Sequence, residues 1–512
     1  MSAAPVPDPT PEEHVSLDPA DWSTYRQLAH EALDDALDLL QTVRERPLWQ
    51  PVPAEVRNSF RGPAPREGAG AEAAYQELRE NILPYATGNI HPRFFGWVHG
   101  SGLASGVISG MIEAAMNSNC GGRDHGALYV ERCVIDWCKE FFGYPASASG
   151  VLVGGTSMAT LLGLAVARHV HAGCDVRKEG LPAGRRLVAY ASSEAHESAR
   201  KAMELLGLGG DALRSIPVDS AFRMRVDLLE PAIEADCRAG LHPFCVIGSA
   251  GTVNTGGIDD LDALAAICRR HGLWFHIDGA FGALCVLDDE LRSRVRGIER
   301  SDSVAFDFHK WMHVPYDAGC VLVRNGDLHR QAFSTRPVYL QGAERGLAGG
   351  GIWPCEYGVD LSRGFRALKI WFALKEHGST TFGLKMRENC RQAVYLADLV
   401  RRRHDMELLA EPTLNIVCFR YIAPDITGDA LDALNRDIVA DLQEAGIAAP
   451  STTRLNGCLA IRCCITNHRS TTEDLGILVD AVAAAAQKRL SRQLPQRVIP
   501  CLRSLDELPS TL

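Results

Sequence analysis

The sequence predicts an α/β protein with a large, mostly parallel sheet, a smaller C-terminal α/β domain and an N-terminal helical segment. Short apolar runs near residues 186, 244, 273, 303 and 319 are typical of buried strands. Helical patterns at 198–206 and 260–271 separate several of these runs, as in units of a parallel sheet with helices on both faces. Residues 379–487 again alternate helix and strand patterns, which indicates a second, smaller α/β layer.

The N-terminal part of the chain predicts helices without a core. Residues 1–20 are rich in proline and acidic side chains, so we expect disorder there. Helices are predicted over 24–43 and 71–82, and two such amphipathic helices must pack against another surface. The expected parts are a disordered N-terminus (1–20), an N-terminal helical segment (21–88), a large domain (89–378), a small C-terminal domain (379–488) and a tail (489–512).

Composition excludes several function classes. A content of 46% hydrophobic and 23% charged residues is that of an ordinary globular protein, and no apolar run reaches the roughly 20 residues needed to span a bilayer. The formal net charge of -10 gives no general attraction to nucleic acid. The 16 cysteines lack CxxC pairs and Cys/His ligand spacing, so we expect reduced thiols in a cytoplasmic protein and no metal site.

The candidate reactive residue is Lys310, in the run Asp307-Phe308-His309-Lys310-Trp311 directly before a predicted strand. Lysine is usually a solvated charge, and burial between Phe308 and Trp311 would disfavour its ammonium form. The neutral amine is the form that makes a Schiff base. The same run is compatible with a lysine whose ammonium group reaches solvent past the aromatic rings. By itself it therefore does not distinguish a buried reactive amine from a solvated charge.

A carboxylate upstream favours the reactive interpretation. The apolar run 273–277 ends at Asp278, which Gly279 and Ala280 follow. A carboxylate at a strand end is more often a helix N-cap, but here it can meet a ring nitrogen while the small residues let a flat ring lie close. An Asp partner for a pyridinium nitrogen and a Schiff-base Lys are the two protein groups expected at a pyridoxal phosphate site. Asp278 and Lys310 together therefore predict this cofactor.

A candidate phosphate site precedes both residues. A short apolar run ends in Gly154-Gly155-Thr156-Ser157, and a predicted helix begins at Met158. Glycines permit close backbone approach, hydroxyls add donors, and a helix N-terminus attracts anions. Such helix starts are also common caps, so the signal is weak when it stands alone.

Six motifs follow one another along the chain. They are HPRFFGW (91–97), GVLVGGTSMATLLGLAVAR (150–168), SSEAHESARKA (192–202), HIDGAFGA (276–283), DFHKW (307–311) and SRGFRALKIWFALKEHG (362–378). Together they resemble the pyridoxal phosphate-dependent group II amino acid decarboxylases, particularly the aromatic L-amino acid decarboxylases. The resemblance runs in order from about residue 22 to 485. It implies the pyridoxal phosphate-dependent transferase fold of type I and a homodimer in which the N-terminal segment lies across the partner subunit.

The resemblance also assigns roles around the cofactor. It implies that His196 lies flat against the cofactor ring and that Thr156 and Ser157 hold the phosphate. Asp307 and His309 are expected to anchor the same end, directly or through water. Thr252 is expected to contact the ring oxygen or the phosphate, although an ordinary turn residue is nearly as good an interpretation.

The run 91–98 is a compact aromatic cluster, which by itself indicates a packed hydrophobic corner. In the resembled family it forms one wall of the substrate pocket, so Phe95, Trp97 and Val98 are expected to bind the substrate side chain, with His99 and Gly100 as further candidates. Members that act on catechols carry a hydroxyl residue near the end of this run, where the present chain has Gly100.

The expected reaction is loss of the α-carboxylate of an L-amino acid as carbon dioxide, which leaves an amine. Lys310 would hold the cofactor, Asp278 would keep its ring nitrogen protonated, and the lid residue Tyr339 would protonate Cα. Aldehyde-forming members of the family carry phenylalanine at the lid position. Alternatives are an oxidative decarboxylase, another lyase or a transaminase of the same fold, and a non-catalytic dimeric binding protein. Aromatic amino acids are the first choice of substrate, while acidic and aliphatic ones stay open.

Overall fold

The structure, a computed structural model, describes residues 16–334 and 343–493, and the chain divides into two compact units. The described part of the first unit comprises residues 16–46 and 50–87 and contains helices α1 (Trp22–Gln41), α2 (Ala54–Ser59) and α3 (Ala71–Asn81). Neither α1 nor α3 has a buried residue. A 2.7 Å hydrogen bond from Tyr75 to Asp35 and ion pairs of Arg79 link them. The predicted pair of helices without a core of their own is therefore confirmed.

The second unit is built on a seven-stranded sheet. Its strands, in chain order, are β1 (Ser149–Val153), β2 (Leu187–Ser192), β3 (Leu213–Ile216), β4 (His242–Ser249), β5 (Trp274–Asp278), β6 (Ser303–Asp307) and β7 (Gly319–Val323). Their spatial order is β1-β7-β6-β5-β4-β2-β3. Strand β7 pairs antiparallel with β1 and β6, and every other pair is parallel. The predicted mostly parallel sheet is confirmed.

Helices cover both faces of this sheet. The helices in this part of the chain are α4 (Ser105–Met116), α5 (Gly126–Phe142), α6 (Thr156–His171), α7 (Val176–Glu179), α8 (Ser198–Leu205), α9 (Val226–Arg238), α10 (Leu261–His271) and α11 (Gly326–Phe333). Successive strand residues point to opposite faces, so Phe275 and Ile277 join one apolar cluster while Trp274 joins the other. Both faces are buried, which explains why the strands appear in the sequence as nearly continuous apolar runs.

The direction of the strands brings the predicted site residues to one edge. Asp278 is the last residue of β5 and Asp307 is the last residue of β6, and these two strands are parallel. Helix α6 begins three residues after β1 ends. Since ligands of open α/β sheets bind outside the carboxyl ends of the strands, this edge is where a site is expected.

The C-terminal part forms a separate antiparallel sheet. Its elements are helix α12 (Arg366–Arg401), strands β8 (Met406–Ala410) and β9 (Ile416–Tyr421), helix α13 (Gly428–Glu444), strands β10 (Ser451–Leu455) and β11 (Cys458–Cys464) and helix α14 (Thr472–Gln493). The strand order is β10-β11-β9-β8. Gly378, with a φ of 74°, interrupts α12 at the predicted domain boundary, although the division into domains stays a prediction. In the described ranges, no helix is long and apolar enough to cross a membrane.

Candidate active site

A cavity of about 630 Å³ lies at the carboxyl edge of the large sheet. It collects residues from segments that are far apart in the sequence. The predicted site residues that line it are Trp97, Val98, Thr156, Ser157, His196, Thr252, Asp278, Ala280, Asp307, His309 and Lys310. The structure therefore brings together the cofactor-binding residues expected from separate motifs.

Lys310 follows β6 in a turn and points into the cavity. Its side chain is 22% exposed, whereas Phe308 and Trp311 are 0% and 1% exposed. The expectation that Lys310 is buried between these two aromatic residues is wrong, because the rings pack into the core while the lysine projects to the other side. The Nζ of Lys310 lies 2.9 Å from Oδ2 of Asp307, so an ion pair holds it in the cavity.

Asp307 is almost completely buried and receives hydrogens from several protein groups. Its Oδ1 accepts the backbone N–H of Thr156 at 2.7 Å, and its Oδ2 faces Lys310. A carboxylate repels a phosphate, so these contacts favour an indirect role at the phosphate end. Asp307 ties the first residue of α6 to the turn that carries the lysine.

The N-terminus of α6 has the features of an anion site. The N-cap residue Gly155 has no side chain that could cap the helix, and the Oγ1 of Thr156 is buried without a hydrogen-bond partner among the described residues. A Cβ at Gly319 would lie 2.5 Å from the Cα of Gly155, so only glycine permits this close approach of the two backbones. A helix N-terminus that begins at a glycine, with an unpartnered hydroxyl beside it, fits a phosphate, which needs several hydrogen-bond donors.

His309 lies next to this end with a defined tautomer. Its Nδ1 accepts the backbone N–H of Ala318 at 3.1 Å, so its proton sits on Nε2, which is 3.6 Å from Oδ2 of Asp307. Burial lowers the pKa of His309, with the charge of Asp307 acting in the opposite direction. The ring of Tyr316 packs against it at 4.4 Å. A neutral His309 with a hydrogen on Nε2 can donate to a phosphate oxygen.

Asp278 also lines the cavity and is buried without an ion pair within 4.0 Å in the described chain. Burial raises the pKa of its carboxyl, while the positive charges of Lys310 and His196 oppose that rise. Its Oδ1 accepts the N–H of Ala280 at 3.2 Å. A buried carboxylate with no cation of its own fits a ring that brings a protonated nitrogen to it.

The side chains of His196 and Thr252 differ in their exposure to the cavity and in the hydrogen bonds that they make to the protein. His196 is exposed in the cavity, and its Nδ1 accepts the N–H of Ser198 at 3.2 Å, which leaves the proton on Nε2. Thr252 is buried, and its hydroxyl accepts the N–H of Gly257 at 3.0 Å. The Thr252 side chain thus stabilises its own turn, as in the simpler of the two interpretations from the sequence.

We call Trp97, Val98, His99 and Gly100 the wall, and Asp278, Asp307 and Lys310 the floor. Trp97, Val98 and His99 of the wall line the cavity next to Tyr316, a residue that the sequence motifs do not single out. The hydroxyl of Tyr316 lies 3.0 Å from Nδ1 of His99. The only sequence signal for this contact is a tyrosine six residues after the reactive lysine.

Side chains from the C-terminal part hold the backbone of the wall. Arg462 on β11 donates to the carbonyl of Trp97 at 2.9 Å, and the hydroxyl of Thr466 donates to the carbonyl of His99 at 2.8 Å. A Cβ at Gly100 would lie 2.2 Å from the carbonyl oxygen of His309, so the wall and the lysine turn touch through their backbones. The hydrogen bonds from Arg462 and Thr466 each span more than 300 residues and the contact of Gly100 with His309 spans more than 200, so no local motif predicts them.

Two predicted residues are not part of the described cavity. Phe95 is 0% exposed and packs in the apolar cluster of the C-terminal sheet, where its N–H donates to Ala449 and its carbonyl accepts from Cys464. Packing explains its burial without a substrate contact. Tyr339 lies outside the described residues, so its predicted role stays a prediction.

Comparisons with known proteins identify the family of this chain. The family model described as the pyridoxal-dependent decarboxylase conserved domain matches residues 53–422. An aromatic-L-amino-acid decarboxylase of Bacillus atrophaeus is 32% identical over 467 residues, which cover 90% of this chain and 95% of that protein. A histidine decarboxylase of Drosophila melanogaster is 31% identical over 89% of this chain and 54% of its own length. The crystal structure of Oryza sativa TDC with PLP and tryptamine has a TM-score of 0.85 at 25% identity and covers 93% of this chain and 100% of that one.

Proposed function

Because the chain belongs to the pyridoxal-dependent decarboxylase family and is a pyridoxal phosphate-dependent amino acid decarboxylase, we propose that its substrate is an aromatic L-amino acid. The observation that carries the proposal is the shared cavity of floor and wall. Asp278 and Lys310 line it together with the rings of Trp97, His99 and Tyr316. The ring centroids of Trp97 and His99 are 6.0 Å apart, and those of His99 and Tyr316 are 6.1 Å apart.

The floor and the start of α6 supply the cofactor contacts that we propose. Lys310 would hold pyridoxal phosphate covalently, and Asp278 would pair with its ring nitrogen. His196 would lie against the ring, with Ala280 leaving room beneath it. The phosphate would take hydrogens from the N-terminus of α6, from the hydroxyls of Thr156 and Ser157 and from Nε2 of His309.

The residues of this chain then have separable tasks in the reaction. When bound, pyridoxal phosphate accepts the electron pair that the departing carboxylate leaves on Cα. Asp278 holds the proton at the ring nitrogen, since a buried carboxylate without another cation favours a positive partner. Asp307 stabilises the ammonium of Lys310 whenever the lysine is free, as their 2.9 Å contact supports. We propose Tyr339 as the group that returns a proton to Cα.

The aromatic rings in the wall favour the binding of aromatic substrates over acidic or aliphatic ones. Aromatic pairs at centroid distances of about 4.5–7 Å are attractive beyond their buried area. The test incubates the purified holoenzyme with each of the twenty L-amino acids and measures carbon dioxide together with the amine. Amine formed in equal amount to carbon dioxide from an aromatic amino acid is expected. Release from glutamate or an aliphatic amino acid alone would refute the aromatic proposal, and aldehyde in place of amine would refute the proposed product.

We further propose a homodimer. Exposed apolar side chains lie on one face of α4 at helical spacing, namely Ile108, Met111, Ile112 and Met116, each 46–50% exposed. Such a stripe is unfavourable in water unless another surface covers it. Sedimentation velocity of the wild type should give twice the chain mass, and Ile112→Asp should shift it toward the monomer. Leu205→Asp, at an exposed leucine of α8, is the matched control and should leave the dimer intact.

A cytoplasmic location is also proposed. Every cysteine in the described ranges is a free thiol, and many are buried. Reduced cysteines are typical of compartments that keep thiols reduced. Cell fractionation should recover the decarboxylase activity with the cytoplasmic markers, and recovery with secreted proteins would contradict the proposal.

A further inference from the structure

His99 and Tyr316 form a polar pair inside an otherwise aromatic part of the cavity. The hydroxyl oxygen of Tyr316 lies 3.0 Å from Nδ1 of His99, and both side chains line the cavity that contains Lys310. Phe94 and Trp97 surround the imidazole, with ring centroids 5.8 and 6.0 Å away. The Nε2 of His99 makes no hydrogen bond to any residue in the described ranges. Neither the cofactor contacts nor the proposed chemistry uses this pair.

Hydrogen bonds from other residues fix the positions of both His99 and Tyr316. The carbonyl of His99 accepts the hydroxyl of Thr466 at 2.8 Å, and the carbonyl of Tyr316 accepts the Nζ of Lys369 at 3.1 Å. The ring of Tyr316 also packs against His309. The pair is therefore oriented before any substrate enters, which lowers the entropy lost on binding.

The pair is uncharged near neutral pH. Burial lowers the pKa of His99, and the positive charge of Lys310 lowers it further. Burial raises the pKa of Tyr316 to about 12, with the negative charge of Asp307 adding to the rise. The two side chains together then carry two exchangeable hydrogens, of which their mutual bond uses one.

One donor and one acceptor remain, whichever tautomer His99 adopts. If Tyr316 donates to Nδ1, the free donor is Nε2–H and the free acceptor is the phenol oxygen. If Nδ1–H donates to Tyr316, the free donor is the phenol O–H and the free acceptor is Nε2. In both arrangements the pair offers a hydrogen to a ligand and can receive one from it.

A hydroxyl group matches this pair because its single oxygen both donates and accepts. An indole offers only a donor and a phenyl ring offers neither, whereas a hydroxyl can accept from or donate to whichever free group of the pair it meets, in either tautomer of His99. Resting on the proposed function, we infer that His99 and Tyr316 bind the ring hydroxyl of a phenolic amino acid and so select such substrates over their unsubstituted analogues. The pair is thus a specificity determinant of the cavity that also contains Asp278 and Lys310.

The first test compares L-tyrosine with L-phenylalanine as substrates of the wild-type holoenzyme. A site built to bond a hydroxyl leaves its polar groups unpaired when the analogue lacks it, so kcat/KM for tyrosine should be at least about tenfold higher. L-Tryptophan, whose indole offers only a donor, is measured alongside and should also fall below tyrosine. A higher kcat/KM for phenylalanine or tryptophan than for tyrosine would overturn the inference.

Two variants then test whether His99 and Tyr316 cause the preference for tyrosine over phenylalanine. Tyr316→Phe removes the oxygen but keeps the ring against His309, and His99→Phe removes both nitrogens. In each, the ratio of kcat/KM for tyrosine over phenylalanine should fall by about tenfold, the equivalent of one lost hydrogen bond to the substrate. Both kcat/KM values in this ratio are measured on the same preparation of one variant. A smaller fraction of folded protein lowers both values equally and leaves the ratio unchanged. Tyr395→Phe, at a partly exposed tyrosine of α12, is the matched control and should keep the wild-type ratio.

A binding measurement without turnover completes the test. Calorimetric titration of the wild type should show tyramine binding about tenfold more tightly than 2-phenylethylamine, with the difference lost in Tyr316→Phe. Equal turnover of tyrosine and phenylalanine, or a ratio that survives in both variants, would overturn the inference while the proposed function stands. Absence of carbon dioxide from every amino acid would instead defeat the proposed function and the inference with it.

Discussion

The floor and the wall of the cavity are built in opposite ways. Asp278 and Asp307 end two adjacent parallel strands, β5 and β6, and Lys310 follows in the next turn, so the sheet itself sets their spacing. The wall lies outside any helix or strand, and Arg462 and Thr466 from the C-terminal part hold its carbonyl groups. Floor residues lie within 33 positions of each other, whereas the wall and its supports are more than 300 apart.

Because the floor and the wall are built differently, we expect the floor to determine the reaction chemistry and the wall to determine substrate selectivity. Groups that hold a proton or a Schiff base need a rigid frame, because small displacements cost large factors in rate. A wall without regular structure can change its side chains while the sheet stays intact, as binding loops on rigid scaffolds do. Changes to the floor should therefore act on kcat, and changes to the wall or its supports should act on KM and substrate choice.

The largest effect is expected from Asp278→Asn. A neutral amide keeps the shape of the side chain but cannot hold a proton at the cofactor nitrogen, so kcat should fall by about 10² or more. Asp302→Asn is the control, because Asp302 is a largely buried carboxylate just before β6 that binds the N–H of Phe275 away from the cavity. It should lower stability more than kcat. Wild-type turnover in Asp278→Asn would mean that the floor does not set the chemistry.

A second effect concerns the stability of the floor in acid. His276, on β5, is fully buried against Ser303, and burial lowers its pKa to about 3 from the ordinary 6.5. In the unfolded chain this histidine is protonated below about pH 6.5, whereas in the folded chain it is protonated only below about pH 3. The free energy of unfolding therefore decreases as the pH falls from 6.5 to 3. One such group contributes a slope of about 1.4 kcal/mol per pH unit.

His276→Gln should remove that slope, measured as the free energy of unfolding in urea at pH 5 and pH 6. The buried histidines His329 and His468, whose pKa values burial also lowers to about 3, keep part of the dependence in the variant. His377→Gln, at a partly exposed histidine of α12, is the matched control. An unchanged slope in His276→Gln would show that this histidine is protonated in the folded protein.

The smallest effect is expected from the support of the wall. Thr466→Val removes the hydroxyl that holds the carbonyl of His99 and keeps the shape of the side chain. Loss of one hydrogen bond of about 1 kcal/mol should raise KM by about fivefold and change kcat by less than about twofold. Thr452→Val, at an exposed position of β10, should change neither. A fall in kcat as large as the rise in KM would mean that the wall also takes part in the chemistry.

The sequence predicts the floor better than the wall for a physical reason. Buried parallel strands are continuous apolar runs, so Asp278 and Asp307 stand out where such runs end. Strands β3, β8 and β10 are not predicted, because all three are edge strands whose partly exposed residues mix polar and apolar types. The contact of Tyr316 with His99 and the packing of Phe95 in the C-terminal cluster depend on which distant segments meet, and no local pattern encodes that.

The central claim is that Lys310 carries the cofactor on this floor. Borohydride reduction of the holoenzyme fixes a bound pyridoxal group to its lysine, and peptide mass spectrometry then identifies the site. The account predicts one labelled peptide, with the label on Lys310, and loss of the label in Lys310→Ala. A label on another lysine, such as Lys369 beside Tyr316, or an unchanged label in the alanine variant would contradict it.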